Sequence, residues 1–167
     1  PERSLPHFHS YTLRQWWKKN RNKLRNEFPS TQVTNVSFFC DEFTNVNDVE
    51  IGKKAIISLM KFGYEVEILD HADSGRSYIS KGLLDEAEAL AVKNVTTYGN
   101  ILGPDHVLVG VEPSAILGFR DEYPKLVPIQ HRERAKAIQP YVFIFDEFVA
   151  SEMDKKNILP NLFNPLH

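Results

Sequence analysis

Apolar residues recur along this chain at two spacings. Three short runs are rich in apolar and β-branched residues, and the last of them is a continuous apolar run, which is typical of a strand buried on both faces of a parallel sheet. These runs cover residues 33–40, 64–69 and 106–111. Between and after them, apolar residues fall three or four positions apart, as they do in a helix with one buried face. The order strand–helix–strand–helix–strand–helix predicts a parallel sheet with right-handed crossover connections.

Capping residues mark several of the helix boundaries. Ser10 or Thr12 can cap a first helix, Asn47 with Glu50 resembles a capping box, and Gly63 is suited to end a second helix. The predicted helices cover residues 12–26, 47–62, 80–100, 114–123, 129–137 and 146–153, with a short fourth strand at 142–145. The sequence therefore predicts an α/β fold, a three-layer domain whose mainly parallel sheet of about three to four strands is flanked by helices.

The longest predicted helix follows an unusually polar loop. We expect the buried side of the helix at 80–100 to consist of Leu83, Leu84, Ala87, Leu90, Ala91 and Val95. The loop before it, residues 71–82, is the densest run of small, polar and charged residues in the chain. It follows a strand, and open α/β sheets bind ligands at loops of this kind.

Composition and charge exclude several classes of protein. The chain has 167 residues, of which 42% are hydrophobic and 25% charged, and this length suits one well-buried core. Its 20 basic and 22 acidic residues give a net charge of −2, so nucleic acid is not an expected partner. No apolar run approaches the roughly 18 residues of a membrane span, so no transmembrane segment is expected. The single cysteine, Cys40, excludes an internal disulfide and suits a cytoplasmic protein.

Three regions are expected along the chain. Residues 1–30 form a linker and an N-terminal helix, residues 31–156 form the α/β domain, and residues 157–167 form a tail or an exit to further sequence. The chain opens on Pro1 rather than Met, and we expect it to be a piece of a longer polypeptide.

Polar residues cluster in the loops that follow the three main strands. The carboxyl ends of parallel strands lie at one edge of a sheet, so these loops are expected to converge there. Together with Lys81 and Arg120, which lie farther along the chain, the candidate edge residues are Glu42, Thr44, Asp73, Ser74, Arg76, Glu112 and Ser114. A structural alternative stays open, because Asp, Asn and Ser in such loops often cap helices. In that alternative, Arg76 only pairs with Glu112 or Asp73.

Several familiar chemistries find little support in these loops. The loop after the first strand lacks the glycines of a phosphate-binding turn, and the six histidines show no zinc-ligand spacing. Cys40 ends an apolar strand and is expected to be a buried thiol rather than a nucleophile. Glu42 and Glu112 are candidates for an acid–base pair, although the sequence does not fix their separation.

Three segments also match a family pattern in order and spacing. They are FCDEFTN with VEIG at 39–45 and 49–52, SGRSYISKGLLD at 74–85, and VGVEPSA with FRDEYP at 109–115 and 119–124. These segments resemble the cysteine-rich (CCG) domains of FAD-linked oxidoreductases, including D-lactate and glycolate oxidases, and of iron–sulfur subunits of the heterodisulfide reductase type. The resemblance extends over about residues 36–126.

The resemblance implies a site from which the metal ligands are missing. The family's cysteine pair falls on Asp73 and Ser74, and the cysteine that closes the third motif falls on Ala115. The remaining cysteines of the related patterns fall on Glu112 and Glu42. An iron–sulfur cluster is held by about four thiolates. We therefore expect no metal ligands and no cofactor in this fragment.

The resemblance also implies what the parent protein does. It would be a FAD-linked, iron–sulfur-containing oxidoreductase of 2-hydroxy acids, with FAD and the clusters elsewhere in the parent chain. This fragment would be a cluster-free structural or electron-transfer-associated domain, not catalytic alone, with the other domains as its partners. It would be cytoplasmic, or membrane-associated through the parent complex. In that interpretation Arg76, Lys81, Glu112 and Arg120 line the remaining edge and orient a partner or a small anionic ligand.

A different class of function stays open beside this one. The same edge could belong to a non-redox α/β module that binds a small ligand or another protein. Catalysis by the loops themselves has the least support from the residue types present.

Overall fold

The computed structural model describes residues 9–155 and has four parallel strands in one sheet. They are β1 (Asn35–Phe38), β2 (Glu65–Glu67), β3 (His106–Gly110) and β4 (Val142–Ile144), in the spatial order β2-β1-β3-β4. Val36 is opposite Val66 on one side and Val107 on the other. The predicted α/β class and the parallel sheet flanked by helices are confirmed.

Ten helices surround the sheet within residues 9–155. They are α1 (Leu13–Glu27), α2 (Glu42–Val46), α3 (Val49–Lys61), α4 (Arg76–Ile79), α5 (Leu84–Tyr98), α6 (Pro113–Ile116), α7 (Gly118–Asp121), α8 (Tyr123–Leu126), α9 (Ile129–Ile138) and α10 (Phe145–Lys155). Thr12 begins α1 with a reciprocal capping box that involves Gln15. A 3-10 turn, Gln139–Tyr141, leads into β4.

Successive strand residues point to opposite faces of the sheet and build two cores. Val36 and Phe38 pack with side chains of α1, α3 and α10, while Phe39 and Leu108 pack with those of α5 to α9. Leu13, Trp17 and Leu24 attach α1 to the first core. Phe38 and Phe39, consecutive at the end of β1, are therefore buried on different sides of the sheet, which explains the adjacent apolar residues at this point of the sequence.

Several helix boundaries differ from the predicted ones. A short helix, α2, occupies the region expected to be a loop, because Asp41 caps it. The cap position of α3 is Asp48, whose side chain makes no capping bond, so the predicted capping box at Asn47 is wrong. The helix expected at 114–123 is divided into the single turns α6 and α7.

The helix expected at 80–100 also begins later than predicted. The chain forms the single turn α4, turns at Gly82 with a φ of 74°, and only then enters α5. Leu83 and Leu84, predicted to be buried, are 43% and 53% exposed because they lie at this turn rather than on the packed side of α5. Residues 1–8 of the predicted linker and the predicted tail at 157–167 lie outside the described residues.

Candidate functional site

The loops after β1 and β2 are joined by a pair of hydrogen bonds at the carboxyl edge of the sheet. One carboxylate oxygen of Glu42 accepts the backbone N–H of Ser74 at 2.9 Å, and the other accepts its hydroxyl at 2.7 Å. Ser74 is 3% exposed. Because a buried N–H and a buried hydroxyl are satisfied by one charged acceptor, the two loops are held in fixed relative positions.

Glu42 is positioned by the helix that it begins. The side chain of Asp41 accepts the N–H groups of Phe43 and Thr44 at 2.9 and 3.0 Å, and this capping starts α2. The hydroxyl of Thr44 donates to Asp41 as well. Burial raises the pKa of Asp41, while the hydrogen bonds from Thr44 and Phe43 favour its charged form. Thr44 is thus a buried structural residue and does not line the accessible edge.

Two buried side chains support the second loop from below. The hydroxyl of Tyr123 donates to the carbonyl of Ser74 at 2.8 Å. The amide of Asn94 donates to Tyr123 Oη and to the carbonyl of Asp73, both at 3.0 Å, and its oxygen accepts the N–H of Ala72 at 3.0 Å. Asn94 and Tyr123 are both fully buried, so these bonds fix the backbone of the loop.

The two arginines expected at the edge are both neutralised by glutamates. Arg76 pairs with Glu122 at 2.9 Å, and Arg120 binds both carboxylate oxygens of Glu147 at 3.0 and 2.9 Å. The backbone N–H of Arg76 also donates to Ser74 Oγ at 3.1 Å. The expected alternative partners of Arg76 were Glu112 and Asp73, and neither pairs with it. These ion pairs weaken the case for a small-anion site.

Within residues 9–155, no hydrogen bond or ion pair joins the loop after β3 to the other two. Glu112 accepts the N–H and the hydroxyl of Ser114 at 3.1 and 2.6 Å and so caps α6. Its carboxylate is engaged locally, and no contact with Glu42 forms an acid–base pair. Lys81 is exposed and forms no ion pair within residues 9–155. Hydrogen bonds therefore join Glu42, Ser74 and Arg76, and Asp73 lies near Glu42, whereas Glu112, Ser114 and Lys81 form no hydrogen bond or ion pair with them in the described part of the chain.

A neutral histidine links the start of the polar loop to α1. His71 Nδ1 lies 2.7 Å from the carbonyl of Ala72, and Nε2 accepts the N–H of Cys40 at 3.2 Å, which requires the proton on Nδ1. Arg14 Nη2 lies 2.7 Å from the same Nε2 and its Nη1 donates to the carbonyl of Leu69. Burial and then the charge of Arg14 lower the pKa of His71 to about 3.

The single thiol at this edge is buried and protonated. Cys40 is 2% exposed, and burial raises its pKa to about 12. The prediction that Cys40 is a buried thiol is therefore confirmed. Burial and the nearby charge of Glu42 raise the pKa of Asp73. Within residues 9–155, no group of three or more His, Cys, Asp or Glu side chains is arranged to hold a metal ion.

Sequence reasoning missed the residues beneath the loop. Asn94 and Tyr123 lie in helices far along the chain, and Glu122 was not assigned to Arg76. One signal was available, because Asn94 lies three and seven residues after Ala91 and Ala87, on the apolar side of α5. A polar residue on a buried stripe is expected to have specific hydrogen-bond partners.

Comparisons with known proteins identify no relative of this chain. No family model, no curated protein and no solved structure matches the chain. None of the helices within residues 9–155 has the length and apolar character needed to cross a bilayer.

Proposed function

We propose that this chain is a cluster-free domain of the cysteine-rich (CCG) type from a FAD-linked oxidoreductase of 2-hydroxy acids. Its carboxyl edge serves as a structural support for neighbouring domains of the parent protein. FAD and the iron–sulfur clusters belong to other parts of that protein, and the neighbouring domains are its partners. The fragment itself has a structural or electron-transfer-associated role.

The observation that carries this proposal is the direct contact between Glu42 and Ser74. The family resemblance assigns both positions to cysteines, and residues that once held one cluster must lie within a few ångströms of each other. Glu42 and Ser74 are in hydrogen-bond contact although they come from different loops. Asp73, the other half of the cysteine pair, lies within electrostatic range of Glu42.

The residues present do not fit a cluster themselves. Cys40 is the only cysteine of the chain, and its thiol is buried with a pKa of about 12. Glu42 and Ser74 are engaged with each other, and Glu112 is engaged with Ser114. These hydrogen bonds within the chain hold the loops in place, as metal–thiolate bonds do in a cluster site.

The alternative of a small-ligand or protein-interaction module has weaker support. A binding site for a small anion requires cations that are free to bind it, and Arg76 and Arg120 are both paired with glutamates. Binding of an anion would have to displace these pairs. We therefore place this alternative second.

Restoring the cysteines tests the proposed origin of the site. The variant carries Glu42→Cys, Asp73→Cys, Ser74→Cys and Ala115→Cys, and it is incubated anaerobically with ferric iron, sulfide and a thiol reductant. We expect visible absorbance and acid-labile sulfide that the unmodified chain does not acquire. A matched control has four cysteines at the scattered exposed positions Asn22, Glu27, Lys93 and Glu133.

Folding of the variants is checked by circular dichroism, because Ala115 and Ser74 are buried. If the four-cysteine protein does not fold, a variant that retains Ala115 and carries Glu112→Cys as its fourth cysteine replaces it. A folded variant that acquires no more labile sulfide than the control would contradict the proposal. So would a parent coding region that has neither a FAD-binding region upstream nor cysteine-rich segments on either side.

A further inference from the structure

Charge is distributed unevenly over this protein. Helix α1 contains six Lys and Arg residues and one acidic residue, Glu27, whereas the whole chain has a net charge of −2. The remainder of the protein is therefore acidic, and α1 is a local basic surface. The small net charge of the whole chain does not reveal this separation. The positive field of α1 attracts acidic partners to that side of the protein only.

Most cations of α1 have no counter-charge. Lys18, Lys19, Arg21 and Lys23 are exposed and form no ion pair within residues 9–155. Arg25 alone pairs with a carboxylate on its outer side, Glu65, at 2.6 Å. Each unpaired cation is available to a partner without the loss of an existing contact.

A groove runs beside this basic helix. It has a volume of about 420 Å³ and lies between α1 and α3, lined by Tyr11, Gln15, Trp16, Lys19, Asn20 and Lys53. Lys53 forms its floor, with Nζ 4.5 Å from the centre of the Tyr11 ring and 5.6 Å from that of Trp16. Glu50 accepts from Lys53 at 2.6 Å. The groove therefore has aromatic walls and a fixed cation.

Helical spacing aligns further lysines with the groove. Lys19 and Lys23 lie three and seven residues after Trp16, so the three residues share one stripe of α1. A chain that lies along this stripe would meet an aromatic ring and then two free ammonium groups. Carboxylates and one apolar side chain complement such a surface.

We propose that this groove and the stripe of Trp16, Lys19 and Lys23 bind an acidic peptide segment of a protein partner. The cations here are all lysines, which act as point charges and lack the fork that favours bidentate phosphate binding. The surface is concave, and the outer positions of α1 offer no large apolar side chain to insert into a bilayer. Both facts favour a carboxylate-bearing peptide over an anionic membrane.

The probe is a fluorescein-labelled acidic peptide, EELEEFE, titrated with the chain in low-salt buffer and followed by anisotropy. We expect saturable binding that weakens as salt is added, because exposed charge pairs are screened. The neutral peptide QQLQQFQ should bind at least about tenfold more weakly. Equal binding of the two peptides would overturn the proposal.

Charge reversal locates the binding surface. The variant with Lys19→Glu and Lys23→Glu should bind EELEEFE about tenfold or more weakly, and Lys19→Gln with Lys23→Gln should be intermediate. The control reverses Lys93 and Lys125, which are exposed on helices α5 and α8 that pack over the second core. Similar losses in the two reversed variants would show a net-charge effect and overturn the proposal.

A membrane and a second copy of this chain are the two other occupants of the groove that the experiments test. Sedimentation of the chain with vesicles of phosphatidylglycerol and phosphatidylcholine tests a membrane, and analytical ultracentrifugation of the chain alone tests a second copy. Binding to vesicles without binding to the peptide would overturn the proposal. A dimer that dissociates on charge reversal of Lys19 and Lys23 would also overturn it, in favour of self-association.

Discussion

Glu42 accepts two hydrogen bonds from Ser74, a residue 32 positions later in the chain. One carboxylate thereby satisfies both the backbone and the side chain of a buried residue. On the other side of the same loop, Tyr123 donates to the carbonyl of Ser74 and Asn94 donates to the carbonyl of Asp73. The backbone of the loop is therefore hydrogen-bonded on two sides. The loop that looked like a ligand site in the sequence is a closed hydrogen-bond network in the structure.

Removal of the Glu42 carboxylate should destabilise the fold. Glu42→Ala leaves the buried N–H and hydroxyl of Ser74 without their acceptor, and we expect a loss of about 2–3 kcal/mol in the free energy of unfolding. Ser74→Ala should cost about 1–2 kcal/mol. Urea unfolding followed by tryptophan fluorescence measures both. Glu112→Ala, at the more exposed cap of α6, is the control, and an equal loss there would contradict the prediction.

Gly75 precedes α4 with a φ of 75°, in the left-handed region that other residues avoid. An added Cβ would meet nothing closer than 3.5 Å, so the cost of Gly75→Ala comes from the backbone alone. We expect a loss of about 1–2 kcal/mol in stability. Gly103→Ala, in open space with an ordinary φ, should be neutral or slightly stabilising. Thermal unfolding of the two variants tests this prediction. Equal unfolding midpoints would contradict the assignment of backbone strain to position 75.

His71 should make stability depend on acid pH. Its folded-state pKa of about 3 lies below the ordinary value of 6.5, so between these values the unfolded chain binds a proton that the folded chain does not. The stability due to neutral His71 is complete above about pH 6.5 and is lost as pH falls toward 3. His71→Gln should flatten the curve by at most about 1.4 kcal/mol per pH unit.

The measurement is urea unfolding of both proteins across this pH range. Burial raises the pKa values of Asp41 and Asp73, and these groups act in the opposite direction. They are present in both proteins and cancel in the difference. Parallel stability curves for His71→Gln and the unmodified chain would show that His71 does not contribute.

Cys40 should be inert in the folded protein. Its thiol is 2% exposed and has a pKa of about 12, so the reactive thiolate is rare at neutral pH. We expect Ellman's reagent to modify it only as the protein unfolds, with one equivalent released in concentrated urea. Rapid stoichiometric reaction under native conditions would contradict the structure.

The strands and the sheet could be predicted because their signal is local. The continuous apolar run at β3 is typical of a strand buried on both faces, and β3 has neighbouring strands on either side. The start of α5 could not be placed this way. Leu83 and Leu84 continue the apolar pattern of the helix, yet the turn at Gly82 leaves them exposed.

The convergence of Glu42 with Ser74 was predictable in outline, since parallel strands bring their following loops to one edge. The supporting residues were not, because their positions depend on packing between distant helices. Arg76 and Glu122 are 46 residues apart, and nothing local selects Glu122 over Glu112 as the partner. Pairing of this kind is decided by the approach of α7 and α8 to the loop after β2.

The outer strands of the sheet have a consequence for how this protein behaves at high concentration. β2 is an edge strand of three residues, two of which are the glutamates Glu65 and Glu67. A second molecule that tried to extend the sheet there would find few free backbone groups and would place like charges side by side. β4, at the opposite edge, is equally short. Intermolecular strand addition, the first step toward fibrils, is therefore disfavoured at both ends of this sheet.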